Sequence, residues 1–334
     1  MVSPAQTKQS KEIQRRTGRT FHVATRFLPE HTREETYVLY AFFRITDEIV
    51  DDPDPMPKAD QRASLERIRR AALGLQSTTD PVLDAFSTIR SNAAIPDHEI
   101  NEFIDAMLAD VDATPYETFE DLEQYLRGSA VAVAYMMLEI MEPPEKSTAR
   151  PHARSLGEAF QLTNFLRDVS EDIDEYGRMY IPIASLERHG LDASVIERGE
   201  FSPAFRRVIE DELERTEERY RHGVAGIRYL PDDCQFPVTL ASVLYAEHHA
   251  KIRELGCDVL TNRPTLGYLD YVRLIVKTGW YWHLSQDPEE VFHRASAVSP
   301  DPDHTAHHIQ GSAPSVREML SRCRFLPRLF SWRN

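Results

Sequence analysis

The chain has 334 residues, 41% of them hydrophobic, with 54 acidic against 39 basic side chains and a formal net charge of −15. That length is ample for one large domain or two small ones, and so negative a charge argues against a nucleic-acid backbone as partner, which needs a basic patch. With 13 glycines a long all-β chain is disfavoured and helix is the default. The cysteines, Cys234, Cys257 and Cys323, are odd in number and widely spaced. They give neither a disulfide framework nor zinc spacing, so a reducing interior is expected. The opening MVSPAQTKQSKEIQRR has no apolar signal-peptide core, and no stretch approaches the ~20 apolar residues of a membrane span. The expected location is cytoplasmic, at most peripheral on the inner face of the cell membrane.

In chain order, a first helix is predicted over about residues 10–28. YAFFRITDEIVDD, residues 40–52, then sets acidic side chains one helical turn apart within an apolar run. Asp47 and Asp51 are i and i+4 on one face, Glu48 and Asp52 form a second pair, and Arg44 precedes Asp47 by a turn. Like charges at this spacing weaken a helix, so a cation is their natural partner. Oxygen ligands suit Mg2+, which takes one or two carboxylates and completes its shell with water and phosphate oxygens. The alternative is a solvated acidic face. Tyr40, Phe42, Phe43, Ile45, Ile49 and Val50 are too apolar for an outer helix, so the carboxylates are expected to line an interior cleft. Tyr40, two turns before Asp47, can face the same space.

Pro53, Pro55 and Pro57 break the chain into a loop. Helices predicted at about residues 59–75, 81–91 and 97–112, with Asp80 and Asp97 as N-caps, read as scaffold. Over residues 118–141 the small side chains of Gly128, Ser129, Ala130, Ala132 and Ala134 leave room for a long hydrocarbon ligand; close helix packing is the alternative reading. QLTNFLRDVSED, residues 161–172, repeats the acidic device. Asp168 and Asp172 are again i and i+4, Asn164 sits one turn before Asp168, and Leu162, Phe165, Leu166 and Val169 form the background. Two facing helices carrying these motifs would hold two or three Mg2+ between them, with Mn2+ as a substitute.

Residues 202–222 form a charged helix whose opposite-sign pairs mark a solvent face. Long helices follow at 236–260 and 266–284, the second closing the helical domain. His248 and His249 are adjacent, hence on different faces, and are not expected to share an ion. Residues 286–310, rich in Pro, His, Asp and Ser, read as flexible linker. From residue 311 five arginines (Arg317, Arg322, Arg324, Arg328, Arg333) stand against one Glu318, interleaved with Leu320, Phe325, Leu326, Leu329, Phe330 and Trp332. That is the composition of an interfacial anchor, with a disordered tail as the alternative.

The two acidic motifs with their arginines, and GRMYIP at residues 177–182, resemble the squalene and phytoene synthases over about residues 16–285. Within that family the chain looks most like an archaeal, haloarchaeal-type phytoene synthase, its acidity in keeping with a salt-loving source. The resemblance implies an all-α, single-domain bundle of isoprenoid-synthase type around a central cavity, spanning residues 1–285. It implies Mg2+ bound by Asp47, Glu48, Asp51, Asn164, Asp168 and Asp172. Substrate diphosphates would be gripped by Arg19, Thr20, Arg44, Gln161, Asn164, Arg167, Arg178, Tyr180 and Arg263, a partly exposed helix start being the alternative for Arg19. Tyr40 and Tyr245 would shield and stabilise the carbocation with their π faces.

The implied reaction joins two geranylgeranyl diphosphates head to head through a cyclopropylcarbinyl (prephytoene) diphosphate. Proton loss then gives phytoene, in the 15-cis-forming type the first committed step of carotenoid synthesis. Squalene synthesis from farnesyl diphosphate, with hydride from NADPH, is the alternative. No G-x-G-x-x-G follows a strand-like pattern, which favours proton loss without NADPH. A terpene cyclase or chain-elongating prenyltransferase would share helices and Mg2+, but NFLRDVSED is not the DDxxD motif expected of an elongating enzyme. A catalytically silent lipid-binding or assembly factor would be expected to have lost the aspartates, and all four are present. The expected partners are small-molecule isoprenoid diphosphates and not nucleic acid, with room for peripheral membrane contact through the tail and for pathway enzymes.

Overall fold

A computed structural model describes residues 2–52 and 55–300, and every regular element among them is helical. In order these are α1 (Pro4–Thr17), α2 (Arg19–Thr25), α3 (Glu30–Val50), α4 (Lys58–Ala72), α5 (Pro81–Asn92), α6 (Asp97–Asp110) and α7 (Phe119–Leu126). A π-helical turn (Arg127–Ala132) leads into α8 (Val133–Met141), followed by α9 (Lys146–Arg167), α10 (Val169–Tyr176), α11 (Ile183–Glu187) and α12 (Ser194–Glu197). The last four are α13 (Pro203–Ala225), α14 (Asp232–Glu254), α15 (Tyr268–Ser285) and α16 (Pro288–Ala295).

Local chemistry sets many of the boundaries. Asp80 caps α5 by accepting from the backbone N–H groups of Val82 and Leu83, with Pro81 in the first turn, where its missing donor costs nothing. Ser202 and Thr118 cap α13 and α7 in the same way. Asp97 does not cap α6: Pro96 occupies that position and Asp97 sits in the first turn, where its charge favours the helix dipole. The single helix expected over residues 10–28 is two, parted at Gly18. A Cβ there would lie 2.3 Å from the Tyr40 hydroxyl, so glycine lets α3 approach and brings Tyr40 against the break.

Most of the burial falls in three large apolar clusters, with a small fourth formed by Leu28, Met141 and Cys234. Val38, Leu39 and Phe42 of α3 pack with Leu65, Phe86, Ile100 and Ile104 from α4 to α6. Leu156 and Ala159 of α9 pack with α13, α14 and α15 through Tyr220, Leu244 and Leu274. A third cluster ties α10 to the turns beyond it and to α13, through Val169, Leu186 and Phe205. Between the first two clusters lies a cavity of about 790 Å3, lined from α2, α3, α6 to α10, α14 and α15.

One expected boundary is corrected. The helical domain does not stop at 285 with a linker after it: Asp287 caps α16, and Val291, Phe292, Ala295 and Val298 are buried against the second cluster. Hydrophilic composition hid one amphipathic turn pair, since only Pro288, Val291, Phe292 and Ala295 of α16 are buried. The rest of the expected linker and the basic-aromatic tail, residues 301–334, lie outside the described residues. If α16 belongs to the core, Phe292→Ala should destabilise the fold by about 3–5 kcal/mol, the range for deleting a buried Phe. Chemical denaturation would measure it, and a change under about 0.5 kcal/mol, as for an exposed linker side chain, would refute the placement.

Candidate active site

The two acidic motifs meet at one cavity. Asp47 lies on α3 and Asp51 immediately follows it, the Asp51 N–H bonding to the Asp47 carbonyl at 2.8 Å as helical spacing requires. The second motif is less regular than its sequence implies. Asp168 sits outside any helix, between α9 and α10, with φ −107° and ψ 16°. Its N–H still bonds to the Asn164 carbonyl at 2.9 Å and its carbonyl accepts from Asp172 N–H at 2.8 Å, so chain continuity survives while the helix axis breaks. Asp47, Asp51, Gln161, Asn164, Asp168 and Asp172 all line the cavity.

Arg178 links the motifs. Gly177 ends α10 with φ 64°, a left-handed conformation that glycine adopts without strain, and the turn lets the Arg178 N–H reach the Asp172 carbonyl at 2.9 Å. The side chain then crosses to the first motif, donating from Nη1 to Asp51 at 2.8 Å and from Nη2 to the Val50 carbonyl at 2.6 Å. Arg44 stands 3.6 Å from Asp51. On the other side Arg167 donates to Asp168 at 2.8 Å, and Arg263 bonds Asp168 at 3.0 Å and Glu171. Every arginine that the motifs bring near is thus engaged with a carboxylate. Donors remain even so: Nε of Arg44 and Nε of Arg178 are buried without a hydrogen-bond partner.

Electrostatics mark the same place. Burial, and then the charge of Asp51, push the Asp47 carboxyl up to about 8 despite Arg44 and Arg178. Burial and Asp168 push Asp172 up to about 8 as well. Two acids held protonated at neutral pH by their surroundings are sites where a cation would be strongly favoured. No three His, Cys, Asp or Glu side chains among the described residues form a closed ion cage. An open set of carboxylates and one amide is the arrangement that suits Mg2+ completed by phosphate oxygens.

The aromatic and entrance residues also gather here. Tyr40 and Tyr245 line the cavity, Tyr40 beside Phe21 at 5.8 Å and Tyr245 stacked on Phe160 at 4.6 Å. Tyr180 stacks on Phe165 at 3.9 Å. Thr20 shares a hydrogen bond of 2.7 Å with the Tyr271 hydroxyl, and the Arg19 guanidinium lies over the Tyr271 ring at 5.3 Å. Away from the charged end the lining turns apolar and small, with Ala130, Ala134, Met137, Ala153 and Gly157. Of the small residues expected over 118–141, Ser129, Ala130 and Ala134 face the cavity, whereas Ala132 does not line it and Gly128 packs closely on α6, where a Cβ would lie 2.2 Å from the Glu102 carbonyl oxygen.

Glu48 is the exception among the expected ligands. Its side chain is 45% exposed, sits 3.6 Å from Arg16 and Arg44, and does not line the cavity, because one residue beyond Asp47 turns it 100° around the helix. His248 and His249 part as adjacency predicts: His248 lines the cavity, while His249 is fully buried against Glu217 and Thr163. Sequence reasoning missed Asp110, Tyr125 and Tyr271, all of which line the cavity. A signal existed for Asp110. It lies three and seven residues after Met107 and Phe103, an acid on the apolar face of its helix.

No helix among the described residues is long and apolar enough to cross a membrane. The family model for Squalene/phytoene synthase matches residues 14–270. The phytoene synthase of Rhodobacter capsulatus is 29% identical over 266 residues, 79% of this chain and 78% of its own length. The 15-cis-phytoene synthase of Enterobacter agglomerans is 29% identical over 268 residues, 78% of this chain and 90% of its own. Neither supports the archaeal likeness read from the sequence. Among solved structures, a dehydrosqualene synthase in complex with ligand shares the fold at TM-score 0.73 and 23% identity, over 86% of this chain and 95% of that one. A squalene synthase from Alicyclobacillus acidocaldarius aligns at TM-score 0.66 and 26% identity, over 77% and 97%. With the family match spanning most of its length and both acidic motifs lining one cavity, the chain belongs to the squalene/phytoene synthase family.

Proposed function

We propose that this chain joins two molecules of geranylgeranyl diphosphate head to head, through a cyclopropylcarbinyl diphosphate, and releases phytoene by proton loss. The observation that carries the reading is one cavity with two acidic motifs and four arginines at one end and an apolar, small-residue lining beyond it. Relatives named phytoene synthase support the choice of substrate and product.

In this reading Asp47, Asp51, Asn164, Asp168 and Asp172 hold Mg2+. The metal supplies Lewis-acid stabilisation of the departing diphosphate. The residues do the rest. Arg167, Arg178 and Arg263 swing part of their hydrogen bonding from carboxylates to diphosphate oxygens, Arg44 turns to the same oxygens from its ion pairs with Glu48 and Asp51, and the Nε donor of Arg178 has no hydrogen bond to give up. Arg19 and Thr20 meet a diphosphate at the mouth. Tyr40, Tyr245 and Phe165 offer π faces to positive charge, which apolar walls protect from water. The basic-aromatic residues after 311 hold the enzyme to the membrane that supplies and receives its lipids.

Purified protein given geranylgeranyl diphosphate and Mg2+ without NADPH should yield phytoene. Squalene made only from farnesyl diphosphate with NADPH would replace the reading with squalene synthesis, the activity named for the solved relative at 26% identity. Asp47→Asn and Asp168→Asn should each lower turnover by at least ~100-fold with the circular dichroism of the fold unchanged; wild-type rates in both would remove the site assignment. A third expectation follows from the raised carboxyls. Between about pH 4 and 8 Asp47 and Asp172 hold protons that a cation must displace. Binding of Mg2+ with inorganic diphosphate at pH 7 should therefore release roughly one to two protons, strengthen toward pH 8, and lose its proton release near pH 9. Calorimetry in buffers of different ionisation enthalpy measures this, and buffer-independent heats at pH 7 would contradict it. Deleting the residues after Gly311 should weaken liposome binding and leave turnover in detergent unchanged; equal liposome binding would discard the anchor.

A further inference from the structure

One carboxylate in the cavity belongs to neither acidic motif. Asp110 ends α6, is 7% exposed and lines the cavity. Two phenols serve it: the Tyr125 hydroxyl donates to Oδ2 at 2.7 Å and the Tyr180 hydroxyl to Oδ1 at 3.1 Å. Both tyrosines line the cavity too. Their rings lie 5.6 Å apart, with Tyr116 at 5.5 Å from Tyr125 and Phe165 at 3.9 Å from Tyr180, so the acid sits behind a continuous aromatic wall.

Protonation states fit a proton acceptor. Burial pushes Asp110 up to about 6, opposed by the charge of Arg178 and the hydrogen bond from Tyr125. The two phenol donors favour its charged form, as a proton acceptor at neutral pH requires. The phenol of Tyr125 is pushed well above its ordinary value by burial and by Asp110, so it keeps a proton unless another replaces it. Because that O–H points at Asp110, its oxygen lone pairs are left for whatever fills the cavity.

We propose that Tyr125 and Asp110 act as a pair to take the proton lost when the final double bond of the hydrocarbon forms. The inference rests on the phytoene-forming reading above. A C–H bond beside the cationic carbon breaks and its electron pair becomes the new C=C bond. The proton passes to the Tyr125 oxygen while the proton already there moves to Asp110 Oδ2, and Asp110 returns it to water after product leaves. Tyr180 is a positioning residue that fixes the other carboxylate oxygen.

The test follows diphosphate release and hydrocarbon together, using the full chain, geranylgeranyl diphosphate and Mg2+. Asp110→Asn and Tyr125→Phe should each lower phytoene by about 100-fold, the scale of a lost general base. Diphosphate release should fall far less, so the ratio of diphosphate to phytoene rises and the cyclopropylcarbinyl diphosphate or water-trapped alcohols accumulate. Asp110→Glu, which keeps a carboxylate, should recover at least ~10-fold over Asp110→Asn. A merely structural role would lower both products in step and show no such recovery. Phytoene from Asp110→Asn within about threefold of the unsubstituted chain, or an unchanged ratio, overturns the pair alone. Failure of the unsubstituted chain to make phytoene overturns the functional reading and the pair with it.

Discussion

The site depends on one side chain that belongs to two places. Arg178 is anchored by its backbone to Asp172 and by its guanidinium to Asp51 and the Val50 carbonyl. It therefore fixes the spacing of two acidic motifs that more than a hundred residues of chain separate. Without a cation between them, the carboxylates of both motifs would repel across a cavity of low dielectric. A buried arginine, 8% exposed, offsets part of that repulsion and holds the two walls in register. The cost is visible in Asp47 and Asp172, whose charged forms remain disfavoured.

That imbalance is informative. A set of acids fully neutralised by arginine would have no affinity left for a metal, and a set with no arginines would not hold its fold open. Here each motif has one carboxylate in hydrogen-bonded ion pairs, Asp51 and Asp168, and one carboxyl pushed up by burial, Asp47 and Asp172. The motifs thus share a division of labour that their identical spacing alone does not reveal.

Much of this was legible in the sequence, and the reasons are physical. Helical period and burial act on neighbours along the chain, so Asp47 with Asp51, Asn164 with Asp168, and the apolar residues behind them could be read locally. Asp80 as a cap and the parting of His248 from His249 were legible for the same reason. What escaped depends on distant chain. Glu48 fits the motif by composition, but which side of α3 faces the cavity depends on the other walls, and the 100° step from Asp47 carries Glu48 away from it toward Arg16 of α1. Gly18 breaks a helix only because Tyr40 arrives from another. Asp110 earns its place through Tyr125 and Tyr180, which reach it from 15 and 70 residues away. A single acid on an apolar helix face was the only local trace.

The broken helix at Asp168 carries the final step. On a straight helix, Asp168 and Asp172 would project along nearly one line and could meet a cation only in single file. Asp168 instead interrupts the helix between Asn164 and Asp172, while backbone bonds on either side of it hold them within reach. The same break leaves Asp168 with no helix of its own, so Arg167 and Arg263 can approach it from two sides. An irregular residue in a sparsely populated backbone region is a small cost where a carboxylate must face two partners at once. The first motif reaches a similar end by stopping at Asp51, the residue just past α3. In both motifs the aspartate that pairs with arginine is the one freed from helical geometry, and the helical aspartates, Asp47 and Asp172, are those whose carboxyls burial pushes up.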